Sequence, residues 1–313
     1  MISWGINALN HGSSIAVITD KLEFFQIDNS NDILESSIDL ALMHGRPDRI
    51  YWYENPWIKK GRQLYAGQYS TAFDMSSLPT AHLKKVGLSH IPLTYTKHHA
   101  SHAAAGYYTS PFTDAAVVVL DAIGEFECAT IWHGKGDNLT KVWSASYPNS
   151  LGLFYSAFTQ LIGFTPIQQE HLLQLSAEVG DPARYYNTVK SYFNGTVKLT
   201  RNLHRGVLDW PHPIKNLQDQ TDIAAAVQKV FEEQLYGVLE VAFQLTKSYN
   251  LVYMGGCAMN SSANKKSLHN WEKVWSLPNP GDPSSAIGAI LWHTKQRLVW
   301  GNNTSKHIEI KGY

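Results

Sequence analysis

The segment KHHASHAAAGYY sets His98 and His102 four residues apart. On a helix that spacing puts both imidazoles on one face, a turn apart, so both can reach a single cation if a carboxylate approaches from elsewhere in the fold. The strand-like run AAVVVLDAIGE, further along the chain, offers such a carboxylate at Asp121. The chain has 14 histidines, so this spacing also arises by chance, and an isolated pair is as readily surface or capped core as ligand. The neighbouring segments give the pair its meaning.

Those segments read as two similar halves. Ile2 to Thr19 is apolar strand, polar turn (Asn10, His11, Gly12, Ser13, Ser14), apolar strand, the pattern of a hairpin. Ala115 to Trp132 repeats it, with VVVL, then Asp121 to Glu125, then ECATIW. The likeness is a duplication signal and predicts two similar α/β lobes in tandem, their hairpin turns facing a common cleft. In LVYMGGCAMNSSANKKSL a short strand runs into Gly255 and Gly256, and a helix follows with Asn260 in its first turns. Paired glycines permit close backbone approach, and a helix N-terminus behind them suits a sugar or phosphate. Helical apolar spacing spans Leu151 to Ile162 and Asp222 to Gln244. Asp222 reads as an N-cap, with a ribose contact as the alternative. Between Gly195 and Leu217 the chain reads as loop and short strands, and no low-complexity linker separates the lobes.

Composition sets the outer bounds. With 313 residues, 44% of them hydrophobic, the chain can fill real cores. Lys plus Arg and Asp plus Glu both total 26, so no net field favours nucleic acid or an anionic membrane. The two cysteines, Cys128 and Cys257, sit in separate apolar runs and read as buried thiols of a reducing compartment. No uninterrupted apolar run is long enough to cross a bilayer, and the start lacks a basic, then apolar, signal pattern. A cytoplasmic location is the expectation. Walker-type phosphate loops, Cys-x-x-Cys pairs and Gly-x-Ser-x-Gly elbows are absent from the sequence.

The motifs together resemble a known family. GINALNHGSSIAV, YWYENPWIKKGRQL, KHHASHAAAGYY, VVVLDAIGE, SLGLFYSAFTQLIGF, DIAAAVQKVFEE, YMGGCAMNSSAN and PGDPSSAIGAI, in that order, are similar to the N-terminal, catalytic domain of the O-carbamoyltransferases of nodulation-factor and antibiotic biosynthesis, relatives of the catalytic subunit of tRNA threonylcarbamoylation. The resemblance implies an α/β fold of two tandem ribonuclease-H-like lobes of the actin and sugar-kinase (ASKHA) superfold, residues 1–113 and 114–313, with the last helix (about 283–297) returning towards the first lobe.

It also implies a chemistry. His98, His102 and Asp121 match the family's divalent-metal ligands, and Asp282 matches a second aspartate before the last helix. Iron is the ion the family implies; nitrogen and oxygen donors suit manganese or zinc as well. The metal would hold the phosphate of carbamoyl-adenylate, or of ATP, as a Lewis acid. The turns at Gly12, Ser13 and Ser14 and at Gly124 and Glu125 would cradle phosphate or carbamoyl group, and Gly255, Gly256 and Asn260 would lie along the adenosine. His11 matches a family histidine near the reacting carbonyl, where it would orient the carbamoyl group or take the proton of the attacking hydroxyl. A turn histidine bonded to its own backbone is the alternative.

The sequence departs from the family in several places. Members carry a second, carboxy-terminal domain that makes carbamoyl-adenylate, and this sequence lacks it; the expectation is either that a separate synthetase protein supplies the activated carbamoyl group or that the same pocket serves another purpose. The family's Glu-Arg-x-x-Arg run is replaced by FFQIDNSNDILES. Leu172 and Leu175 stand where a lysine and a glycine are expected, and Gly12 where aspartate is frequent. Loss of a cation beside a nucleotide removes charge-assisted contacts. Two functions follow as expectations. One is carbamoyl transfer to a hydroxyl of a sugar, a natural product, or a hydroxymethylated pyrimidine in nucleotide or DNA. The other is a nucleotide-binding, non-catalytic subunit that keeps the metal site.

Overall fold

Alternating apolar residues on either side of the first polar turn pair as a hairpin, β1 (Ser3–Asn10) with β2 (Gly12–Ile18), and β3 (Leu22–Ile27) extends it antiparallel. Helix α1 (Leu34–Leu42) then crosses to β4 (Arg49–Trp52), parallel to β1. Helices α2 (Pro56–Tyr65), α3 (Tyr69–Phe73) and α4 (Pro79–Lys85) precede β5 (Leu93–Tyr95), parallel to β4. This computed structural model describes residues 1–10, 12–27 and 34–298.

The second half repeats the plan. After α5 (His98–Thr109) come β6 (Asp114–Gly124), β7 (Glu127–Lys135) and β8 (Asn138–Ser146), an antiparallel meander. Helices α6 (Leu151–Leu161), α7 (Glu170–Ala177), α8 (Tyr186–Lys190) and α9 (Leu217–Thr246) lead to β9 (Asn250–Met254), parallel to β6. After α10 (Ser261–Ser267) and β10 (Lys273–Trp275), parallel to β9, the last helix is α11 (Ser285–Thr294). The sheet orders, β3-β2-β1-β4-β5 and, read from the opposite edge, β8-β7-β6-β9-β10, correspond strand for strand with the same pairing senses. The duplication read from two hairpins thus extends over five strands.

The run VVVL is explained by burial on both faces of β6. Val117 and Val119 face a core shared with α5, α11 and the first sheet, whereas Ala116, Val118 and Leu120 face one built from α6 and α9. Helices α5 and α11 each follow the last strand of their half, and they pack against each other. Small residues make the approach close: a β-carbon on Gly288 would stand 1.7 Å from the Ser101 carbonyl oxygen.

Two expectations need correction. Asp222 is not an N-cap, because α9 begins earlier and Asn216 caps it, accepting from the Asp219 N–H at 2.9 Å. Asp222 instead lies inside the helix, buried, and accepts from the Asp181 N–H at 2.8 Å and from Gln218 at 2.7 Å. The second hairpin closes later than its polar run suggests. The ladder shifts register between Leu120 and Gly124, so Asp121 stays within β6 and the turn falls at Glu125 and Phe126. Cys128 and Cys257 are buried free thiols. Among the described residues, no helix is long and apolar enough to cross a membrane.

Candidate metal centre

Helix α5 starts at His98, and every residue along it is buried. The four-residue spacing does what helical geometry requires: the Nε2 atoms of His98 and His102 face each other at 3.1 Å. Asp121 reaches them from the register shift in β6, its Oδ2 at 3.1 Å from His98 and 3.4 Å from His102. Asp282, in the turn before α11, brings Oδ1 to 3.3 Å from each. All four donor atoms lie within 4.8 Å of one another.

The donor set fits a cation. Ligands at about 2.0–2.2 Å from one ion sit about 3.3 Å apart in a tetrahedron and about 3.0 Å apart as octahedral neighbours. The five pairs that include a nitrogen span 3.1–3.4 Å. Each Nε2 lies within 3.1–3.4 Å of both carboxylates as well as of the other imidazole, so all four donor atoms face a common point. The imidazoles are 1% and 0% exposed, while the Asp121 and Asp282 side chains are 13% and 17% exposed. The centre therefore opens on its carboxylate side.

Charge is balanced within the cluster. Burial would drive both imidazoles neutral, but Asp282, Asp121 and Glu54 outweigh it and hold His98 well above its ordinary range. His102 is raised against the same burial by its bonds to Asp121 and Asp282. Burial would likewise raise both carboxylates; His102 and His98 hold Asp121 well below its usual range, and His98 is the main group depressing Asp282. A dication here would take over the role of those protons.

Sequence reasoning missed the group behind the ligands. Glu54 is buried, and its Oε2 lies 3.9 Å from His98 Nδ1 while Lys59 donates to its Oε1 at 2.7 Å. The signal was an acid ending the apolar run YWY, just before the Asn55 cap of α2. His99, the middle histidine of KHHASH, is not part of the set. Trp132 Nε1 donates to the Thr130 hydroxyl at 2.8 Å, and that hydroxyl is also hydrogen-bonded to His99 Nδ1 at 3.0 Å. Burial keeps His99 well below the ordinary imidazole range and so neutral.

The remaining candidates are spread around this centre. Gly124 lies against it: a β-carbon there would stand 2.3 Å from His98 Cδ2. Glu125, at φ 62, turns its buried carboxylate to the Asn55 N–H at 2.5 Å, and burial pushes it up to about 7. Gly255, at φ 92, lies so close to β6 that a β-carbon would meet the Leu120 carbonyl oxygen at 2.2 Å, and at Gly256 one would stand 3.1 Å from Asp121 Oδ1. Asn260 is committed to the fold. Its Oδ1 caps α10 through the Ala263 N–H at 3.0 Å, and its amide pairs with Gln228 through bonds of 3.0 and 3.1 Å. Gly12 has φ 82, Ser13 is buried, and the Ser14 hydroxyl donates to the Pro283 carbonyl at 2.7 Å, tying the first hairpin to the Asp282 turn. His11 lies outside the described residues.

Fold and site together define a two-sheet α/β protein with a His2Asp2 centre. Residues 57–291 match the family model described as carbamoyltransferase N-terminus, and the chain belongs to that family. It is similar to the uncharacterised protein sll1178 of Synechocystis sp., with 33% identity covering 64% of this chain and 37% of that protein. It is also similar to nodulation protein NolNO of Sinorhizobium fredii, at 24% identity over 64% of this chain and 31% of the relative. Nodulation protein NolO of Bradyrhizobium diazoefficiens is 26% identical over 62% and 37%. The chain thus spans well under half the length of these relatives.

Proposed function

We propose that this chain is the transfer domain of a metal-dependent O-carbamoyltransferase, moving a carbamoyl group from carbamoyl-adenylate to a hydroxyl. The observation that carries the reading is the convergence of His98, His102, Asp121 and Asp282 on one point, open to solvent on its carboxylate side, in a chain of this family. The reading includes the two-lobed actin and sugar-kinase arrangement, residues 1–113 and 114–313, with donor and acceptor meeting in the cleft; the matching order of the two sheets supports it.

In this reading His98, His102, Asp121 and Asp282 hold the ion, iron first and manganese or zinc as alternatives. When bound, it supplies Lewis-acid charge at the donor's phosphate. The acceptor oxygen attacks the carbamoyl carbon, the bond from that carbon to the phosphate oxygen breaks, and AMP leaves with the electron pair. His11 takes the hydroxyl proton. Gly12, Ser13, Ser14, Gly124 and Glu125 line the reacting end, and Gly255 and Gly256 allow the nucleotide close to β6, with Asn260 beside it. Holding donor and hydroxyl in one cleft supplies up to about 7–11 kcal/mol of the barrier reduction. The acceptor is a sugar, a natural product or a hydroxymethylated pyrimidine in nucleotide or DNA. The donor is delivered by a carbamoyl-adenylate synthetase.

The test is direct. Purified protein loaded with ferrous, manganous or zinc ion is given carbamoyl-adenylate and a panel of hydroxyl acceptors, and AMP release and acceptor mass are followed. Carbamoylated acceptor appearing with stoichiometric AMP supports the reading. Metal-dependent binding of the adenylate with no turnover on any acceptor favours the non-catalytic subunit instead, which Leu172 in the expected lysine position would suit.

A further inference from the structure

Asn7 is fully buried in β1, and neither its Oδ1 nor its Nδ2 has a hydrogen-bond partner among the described residues. Buried side-chain amides are almost always paired, and each unmade bond costs about 1–3 kcal/mol. Register locates the amide. Gly5, two residues earlier on the same face, abuts α11, where a β-carbon would stand 1.8 Å from the Ala286 carbonyl oxygen. Asn7 lies one step nearer the hairpin end, opposite Ser14, whose hydroxyl bonds to Pro283. Its face of β1 therefore looks onto the first turn of α11 and the turn carrying Asp282. Ser285, the first residue of α11, is also fully buried with its hydroxyl unpartnered among the described residues, and no side chain caps that helix.

A side chain presenting one donor and one acceptor in one plane is complementary to a second amide. The fold contains that pairing elsewhere, between Asn260 and Gln228. Resting on the carbamoyl-transfer reading, we propose that Asn7 is the specificity residue for the carbamoyl group. Its Nδ2–H donates to the carbamoyl oxygen, its Oδ1 accepts from the carbamoyl N–H, and Ser285 completes the subsite. An acetyl group is nearly the same size but carries a methyl where the carbamoyl has NH2. It would leave Oδ1 buried and unpaired, which is how a polar subsite rejects an apolar isostere.

The experiment measures binding of methylene-bridged, non-hydrolysable analogues of carbamoyl-adenylate and acetyl-adenylate to the metal-loaded chain by calorimetry. The native protein is expected to prefer the carbamoyl analogue by about tenfold or more, and Asn7→Leu to reduce that preference to within about twofold. Metal stoichiometry should be unchanged in the variant, and its ligand-free melting temperature no lower, since an unpaired amide has been removed. Asn7→Ala gives the same comparison should the leucine fold poorly. A variant that keeps the native preference, or a native protein that binds both analogues equally, overturns the proposal and leaves carbamoyl transfer standing. A native protein that binds neither analogue in the presence of metal sinks both.

Discussion

Gly288 lies on Ser101 so closely that nothing larger than hydrogen fits between the backbones of α11 and α5. These elements carry three of the four candidate metal ligands: His98 and His102 on α5, and Asp282 in the turn that leads into α11. The separation of the two imidazoles from Asp282 is thus constrained by a backbone contact that side chains cannot adjust. Gly288→Ala should force the helices apart, at a cost at or above the usual 1–3 kcal/mol of overpacking, roughly. Thermal denaturation and metal titration of the variant check this. Native melting and native affinity together would show that the helices have room to spare.

His102→Ala removes one donor from the middle of the set. Metal content after purification, measured by elemental analysis, should fall to near zero, with transfer activity lost alongside. Stability of the metal-free protein should also fall, because Asp121 and Asp282 lose a buried imidazole partner, so a melting curve is needed to tell lost ligation from lost folding. Undiminished metal stoichiometry in the variant would contradict the ligand assignment.

Under the proposed metal reading, Glu54 would act on the ion through His98. Its carboxylate faces His98 Nδ1 at 3.9 Å, and charge there makes the opposite nitrogen a better ligand. Glu54→Gln keeps the shape and removes the charge, so affinity for zinc or manganese in a chelator competition should weaken about 10- to 100-fold. Equal affinities for variant and native protein would reduce Glu54 to a partner of Lys59.

Glu125 predicts a pH effect whose sign follows from burial. Its carboxyl is pushed up to about 7 from an ordinary 4.5, so over that interval the folded protein holds a proton the unfolded chain has released. Stability contributed by this group is therefore present below pH 4.5 and declines as pH rises towards 7, by roughly 1–3 kcal/mol in all. Glu125→Gln retains an acceptor for the Asn55 N–H and cannot ionise. Compared in metal-free buffer, the variant should gain on the native protein steadily from pH 4.5 to 7 and hold a constant lead above it. Parallel curves across that range would place the Glu125 titration elsewhere.

Much of this was legible in the sequence because it depends on local spacing. The two hairpins follow from polar turns between apolar runs, α6 and the body of α9 from helical periodicity, and the shared face of His98 and His102 from a four-residue interval. Asp121 stood out as a carboxylate at the end of a strand-like run, but Asp282 was reached only through resemblance, since no local pattern links positions so far apart. The late hairpin turn escaped notice because a register shift is a property of two strands, and Asp222 was misread because an aspartate near a helix start looks like a cap whether or not an asparagine upstream already serves as one.

The sequence by itself determined the two hairpins, the longer periodic helices and the kinds of side chain available for chemistry, all consequences of short-range periodicity and turn preference. Only the tertiary structure decided which of those side chains meet. It brought Glu54 behind His98, turned His99 away to Thr130, engaged the Asn260 amide with Gln228 and left the Asn7 amide buried without a partner among the described residues. Each of these depends on how α5, α11 and the two sheets pack across long sequence separations, where the outcome is set by steric fit and the pairing of buried polar groups.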